Sequence, residues 1–195
     1  MFKTYNYDEF IKTFECECFF ARVKEGFSEK FEIEEKLDDK LAEYMYHFFN
    51  TKHVKRDTEL TKKVYPNWKD RCYRNRLGVE GEYFVDHYTQ EKKEDVLNEY
   101  EPPAPLPECW CCLRIERSDK DRLIWRNDLM DSAMIIHRVR WIKYVLDNFL
   151  VPNGYTVNGE MHFQSDLYRE YKEELYEGKI KIENSEMKIK LLRRY

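Results

Sequence analysis

Four side chains in this sequence have the types that acid–base or metal chemistry needs, and they come as two pairs. Glu80 and Glu82 stand two apart in GVEGEYFV, and Glu160 and His162 stand two apart in YTVNGEMHF. On a β-strand, residues i and i+2 point to one face. If the two strands are neighbours, three carboxylates and an imidazole gather on one surface, as a hydrolase or a metal site requires. The competing reading is the solvated face of a half-exposed sheet. That reading has the advantage, because no nucleophile elbow, phosphate loop or HExxH motif accompanies the four residues. His47, His53 and His87 show no metal spacing, and His137 lies beside a helical apolar stripe.

Sulfur offers a second chemistry. Residues 107–113 read PECWCCL, and Cys16/Cys18 and Cys109/Cys111 form two CxC pairs. Four sulfurs would meet if those segments were adjacent strands. Zinc sites favour CxxC-like turns that preorganise the thiolates, and a strand-borne CxC lacks that turn. Cys109 and Cys112 have redox spacing, but the Trp110–Cys111 step between them reads as strand and not as a helix N-terminus. The expectation is no metal and no cofactor, with free cysteines acting as small buried hydrophobes on a strand over 109–117.

Two stretches have the composition of binding surfaces. Residues 52–76 hold nine Lys or Arg against three acids, a local charge of +6 in a chain whose net charge is −4. Lys55, Arg56, Lys62, Lys63, Trp68, Arg71 and Arg74 interleave cations with an aromatic ring, which suits single-stranded nucleic acid. Against this, residues 28–43 carry seven acids and three lysines, so the basic stretch can serve as their counter-charge. The second stretch is 86–108, a long loop with prolines at 102, 103, 105 and 107. Each proline fixes its own φ and restricts the residue before it. A stiff loop binds with little ordering entropy, so Tyr88, Tyr100, Pro102, Pro103, Pro105 and Leu106 are the candidate contact residues for another protein.

These candidates must be positioned by the rest of the chain. Residues 14–24 and 30–35 read as two arms of a hairpin. Asp38 caps a helix over about 38–50, with Leu41, Tyr44, Met45 and Phe48 at helical spacing. Residues 78–85, 109–117 and 122–126 read as strands, the last two joined by a charged turn. Asp131 or Ser132 caps a second helix in which Ile135, Val139, Ile142, Leu146 and Phe149 make one stripe, and Pro152 and Gly154 end it. Strands at 155–163, 178–183 and 187–192 follow, the last two forming an edge hairpin through Asn184 and Ser185. In that hairpin Ile180, Ile182, Ile189 and Leu191 face the core, and Lys179, Lys181, Lys188 and Lys190 face water. Trp110 and Trp141 are expected in the core. Consecutive strands with short connections predict an α+β fold, a mainly antiparallel sheet with two principal helices on it.

The chain is 195 residues long with 12 Phe, 15 Tyr and 4 Trp, enough large apolar surface to offset folding entropy in one domain. Its N-terminal part is expected at about 1–76 and its sheet–helix–sheet part at about 77–195. MFKTYNYDEF lacks the build of a signal peptide, and no apolar run is long enough to cross a bilayer. The expectation is a soluble cytoplasmic protein with reduced cysteines and no membrane contact.

Several blocks follow in order: Lys55-Arg56-Asp57 after the first helix; Gly78 and 80–85; Pro102-Pro103, Pro107 and Trp110-Cys111; Trp141, Tyr144, Phe149-Leu150, Pro152, Gly154-Tyr155 and Asn158-Gly159-Glu160; then Gly178-Lys179-Ile180 and Asn184. Together they resemble a family of uncharacterised bacteriophage and bacterial proteins. They cover about 30–190. Leu106, Glu108 and Ser165 depart from the pattern, which has Gln, Gly and Gly there. The resemblance implies a phage-type or mobile-element accessory protein and supplies no activity. The function expected is non-enzymatic binding of a host or viral protein; the alternatives are a hydrolase or small-ligand binder using Glu80, Glu82, Glu160 and His162, and a nucleic-acid binder through 52–76.

Overall fold

The computed structural model describes residues 3–15, 19–23, 29–57, 59–60, 63, 94, 96–103, 106–125, 134–169 and 172–194. Their contacts form two compact units, one of Met1–Leu37 with Cys112–Tyr195 and one of Asp38–Cys111. The protein is α+β with a mainly antiparallel sheet.

The first unit is built on eight strands: β1 (Lys3–Asn6), β2 (Phe19–Val23), β3 (Glu29–Ile33), β6 (Leu113–Glu116), β7 (Arg122–Trp125), β8 (Val157–Arg169), β9 (Lys172–Glu183) and β10 (Glu186–Arg194). The spatial order is β1-β10-β9-β8-β3-β7-β6, with β2 also beside β8. Two helices accompany them, α1 (Tyr7–Phe14) and α3 (Ile135–Val145). The second unit holds α2 (Asp39–Phe49) and a two-stranded pair of β4 (Lys55–Arg56) and β5 (Val96–Asn98).

Side-chain alternation decides the sheet. Ile189 pairs with Ile180 and Ile180 with Met161, and Phe31 pairs with Leu123; all are buried. The residues between them are the solvent side, as period-2 patterning requires. At the β9–β10 turn Asn184 and Ser185 take φ 51° and 64°, the left-handed pair of a two-residue hairpin. Gly178 is needed where it stands: a Cβ there would lie 2.4 Å from the Phe163 ring. Gly159, with φ 144°, brings β8 so close to β3 that a Cβ would sit 2.9 Å from the Lys30 carbonyl.

The apolar side of the sheet is covered by the helices. Asn6 and Glu9 form a capping box that starts α1, whose Phe10 and Phe14 pack with Tyr5 in an aromatic cluster. The predicted stripe of α3 is buried throughout, as is Trp141. Its last turn widens to a π-helical turn (Leu146–Leu150), passes through a short 3-10 turn and stops at Gly154, φ 84°. Arg138 is also buried, with its guanidinium carbon 3.9 Å from the centre of the Trp125 ring.

Several expectations change. The stretches at 14–24 and 30–35 are not a hairpin: Phe14 ends α1, and β2 and β3 both run antiparallel to β8 on successive parts of it. Two strands that share one direction cannot be each other's antiparallel partner. The β9–β10 hairpin is not the edge, because β1 pairs with β10 from Lys3↔Leu191 to Asn6↔Lys188. The strand expected from 109 begins at Leu113; the Cys109 carbonyl is spent on the His53 N–H. Met134 is the N-cap of α3, with no side-chain cap bond; Asp131 and Ser132 lie outside the described residues. Trp110 is half-buried and not a core residue. The strand expected over 78–85 lies outside the described residues.

Candidate functional site

Of the four predicted acid–base residues, the structure describes two. Glu80 and Glu82 lie outside the described residues. Glu160 and His162 share the solvent side of β8, as their spacing predicts, and register adds Lys179 from β9. Nε2 of His162 stands 2.8 Å from one Glu160 oxygen, and Nζ of Lys179 donates to the other at 2.8 Å. Lys179 first and His162 second hold the Glu160 carboxyl down to about 2. Glu160 is therefore a permanent anion at neutral pH. It can orient an imidazole or neutralise a lysine, but it has no proton to give as a general acid. The nearest serine on β8, Ser165, points to the buried side. Among the described residues the cluster offers an orienting group and an imidazole, and no hydrogen bond or ion pair of theirs adds a nucleophile.

Two of the thiols, those of Cys109 and Cys112, are chemically quiet. Cys109, Cys111 and Cys112 are buried. Burial pushes Cys112 up to about 12 and also raises Cys109, so neither forms a thiolate readily. Among the described residues no group of His, Cys, Asp and Glu is arranged to hold a metal; Cys16, Cys18 and Cys72 lie outside them.

The proline-rich loop is braced by several hydrogen bonds. The Lys55 backbone N–H donates to the Glu101 carbonyl at 2.8 Å, and Nζ of Lys55 donates to the Glu101 carboxylate at 2.9 Å. That hydrogen bond holds the Glu101 carboxyl below its ordinary range. The Asn98 side chain accepts from the Tyr100 N–H at 2.9 Å and donates to Glu101 at 3.3 Å. Leu106 N–H closes a turn on the Pro103 carbonyl. The His53 N–H donates to the Cys109 carbonyl at 2.7 Å, and its buried ring donates from Nε2 to the Phe48 carbonyl at 2.9 Å.

These braces leave two apolar side chains in water. Tyr100 is 82% exposed and Leu97 63% exposed. The Lys52 ammonium lies 5.7 Å from the centre of the Tyr100 ring, a weak exposed cation–π contact. Pro102 and Pro103 are half-buried. Leu106 is buried, which removes it from the contact set: it anchors the loop from within. Tyr88 and Pro105 lie outside the described residues. Sequence reasoning passed over Leu97, although its place three residues before Tyr100 in the same loop was a usable signal.

Of the basic stretch, Lys55, Arg56 and Lys63 are described, whereas Lys62, Trp68, Arg71 and Arg74 are not. Lys55 is committed to Glu101. No helix among the described residues is long and apolar enough to cross a membrane. Set against known proteins, the chain matches no protein family, no curated sequence and no solved structure.

Proposed function

We propose that the protein works by binding another protein, of a host or of a phage, through the braced loop 96–103. The observation that supports this most is the exposure of Tyr100 and Leu97 on a turn already fixed by five hydrogen bonds, two to Asn98, two to Lys55 and one to Pro103. An exposed ring is ordinary on a mobile loop, where holding it still costs entropy. Here the backbone is fixed before any partner arrives, so contact area comes with little ordering. Tyr, with two side-chain torsions, is a usual anchor of such interfaces. Tyr46, also exposed, adds a ring on the outer side of α2 in the same unit. Catalysis has less support, because Glu160 is held ionised and has no proton to give as a general acid.

The test is affinity capture from native host cells with the wild-type chain, Tyr100→Ala and Leu97→Ser run in parallel. A partner recovered by the wild type should fall at least about ten-fold with either variant, the scale of an interface anchor. Equal recovery by all three would refute the assignment.

A further inference from the structure

We propose that the solvent side of the large sheet seats an extended nucleic-acid single strand, gripped by its phosphates along a cationic band that runs across the β-strands. The band is two adjacent rows of cross-strand neighbours. One row reads Arg114, Ile124, Lys30, Glu160, Lys181, Lys188 and Asn6, from β6 to β1. The next reads His162, Lys179, Lys190 and Thr4, from β8 to β1. Within these two rows six Lys and Arg cations face one carboxylate, that of Glu160, a net of +5 from those residues. The band shares no residue with the loop 96–103 or with the basic segment 52–76.

Two features mark the band as more than a solvated face. Lys188 is directly opposite Lys181, and Lys190 is directly opposite Lys179. Like charges facing each other across an antiparallel pair destabilise it, and a Glu at either place would have relieved the pair. Lys179 is answered by Glu160, and Lys181 by Glu183 at 3.1 Å. Arg114, Lys30, Lys188 and Lys190 have no carboxylate within ion-pair distance among the described residues. The second feature is the neighbouring row, which is acidic: Glu116, Arg122 and Glu32 in register, with Glu183 opposite Glu186 on the other side.

The geometry selects the occupant. Six inter-strand steps of about 4.8 Å make the band about 29 Å long, room for a few nucleotides. The acidic row lies one residue pair, about 7 Å, to one side. A duplex carries a second phosphate strand, which would come to rest over those carboxylates. A single strand fits within the band. Five of the six cations are lysines, which meet phosphate as point charges, whereas recognition of carboxylates favours the arginine fork. Among the described residues the band offers no aromatic ring, so binding should be tolerant of base sequence.

The experiment is fluorescence anisotropy of a labelled oligo(dT) of about 20 nucleotides with the full chain across a salt series. With about five phosphates neutralised, the slope of log K against log salt should be about −3.5. The double variant Lys188→Glu/Lys190→Glu should weaken binding at least about ten-fold and flatten the slope by about 1.4, with Lys188→Gln/Lys190→Gln as the milder companion should the first fail to fold. Lys55→Glu/Arg56→Glu and Tyr100→Ala should bind like the wild type. Absence of salt-dependent binding, or wild-type affinity in the foldable lysine variant, overturns the proposal. So does a duplex bound as tightly as the single strand, poly-glutamate bound more tightly than either, or loss of binding only in the Lys55/Arg56 variant, which would place the site on the basic segment.

Discussion

In the sheet, Ile180 is flanked by Ile189 on one strand and Met161 on the other, and its loss would leave dozens of ladder bonds in place. In the 38–111 unit, one residue, His53, joins the end of α2 to the loop before β6 through its ring and its backbone N–H. The first region is held by repeated apolar contacts in register. Among the described residues of the second, a buried apolar set that includes Leu41, Met45, Phe48 and Leu106 is joined by polar contacts such as those of His53. Packing of the first kind responds to volume, and polar anchoring of the second kind responds to charge.

The largest expected effect tests the packed region. Trp141→Ala removes a fully buried indole from α3 and should lower unfolding free energy by about 3–5 kcal/mol in denaturant titrations. A variant as stable as the wild type would mean that the sheet unit does not depend on helix packing. The next effect tests the polar region. Burial holds the His53 imidazole down to about 4 against an ordinary 6.5. The folded state therefore resists a proton that the unfolded chain accepts. Stability is full above about 6.5 and is lost as pH falls from there to about 4, by about 3 kcal/mol at about 1.4 per pKa unit. His53→Gln should be less stable at pH 7 yet lose this slope; a slope that survives the substitution assigns it to other groups.

Gly178→Ala sharpens the contrast at smaller scale. The added methyl meets the tip of the Phe163 ring and the Leu191 side chain, so the core must shift, at about 1–3 kcal/mol. No pH dependence should accompany it. The smallest effect is one where the two regions should agree. Asn6 caps α1 and Asp38 caps α2 in the same manner, each accepting from the backbone N–H three residues on. Replacing either by Ala should cost about 1 kcal/mol by thermal melting at neutral pH. A cost several times larger at Asp38 alone would show that the second unit depends on that polar group as it does on His53.

The same contrast separates what the sequence made legible from what it hid. Alternation in β9 and β10 and the α3 stripe are local patterns, so burial of Ile180, Ile182, Ile189 and Leu191 could be read directly. Pairing is not local. That β2 and β3 both lie along β8, that β1 covers β10, and that Lys179 answers Glu160 all depend on registers between distant residues. Asn6 and Glu9 carried a readable capping box that was passed over. Asp121 looked like part of a charged surface turn, but it is fully buried, accepts from the Leu37 N–H at 2.9 Å and lies 3.1 Å from Arg117. No periodicity announces a carboxylate that is buried because a backbone donor needs it. Glu160 and His162 were legible as a pair; the loss of acid function at Glu160 was not, since it comes from a lysine on another strand.

The register of β1 has a consequence during synthesis. Asn6 pairs with Lys188, and Phe31 with Gly159, so the first strands leave the ribosome long before their partners exist. At about 5–20 residues per second, β1 waits roughly 10–40 s for β10. FFARV and KFEIE wait for part of that interval, until β7 and β8 are made, and both hold aromatic and β-branched residues. Such segments are the kind that associate with other chains. Overproduction should therefore yield more folded protein when translation is slowed or a holdase chaperone is supplied, and the gain should come from the N-terminal third of the chain.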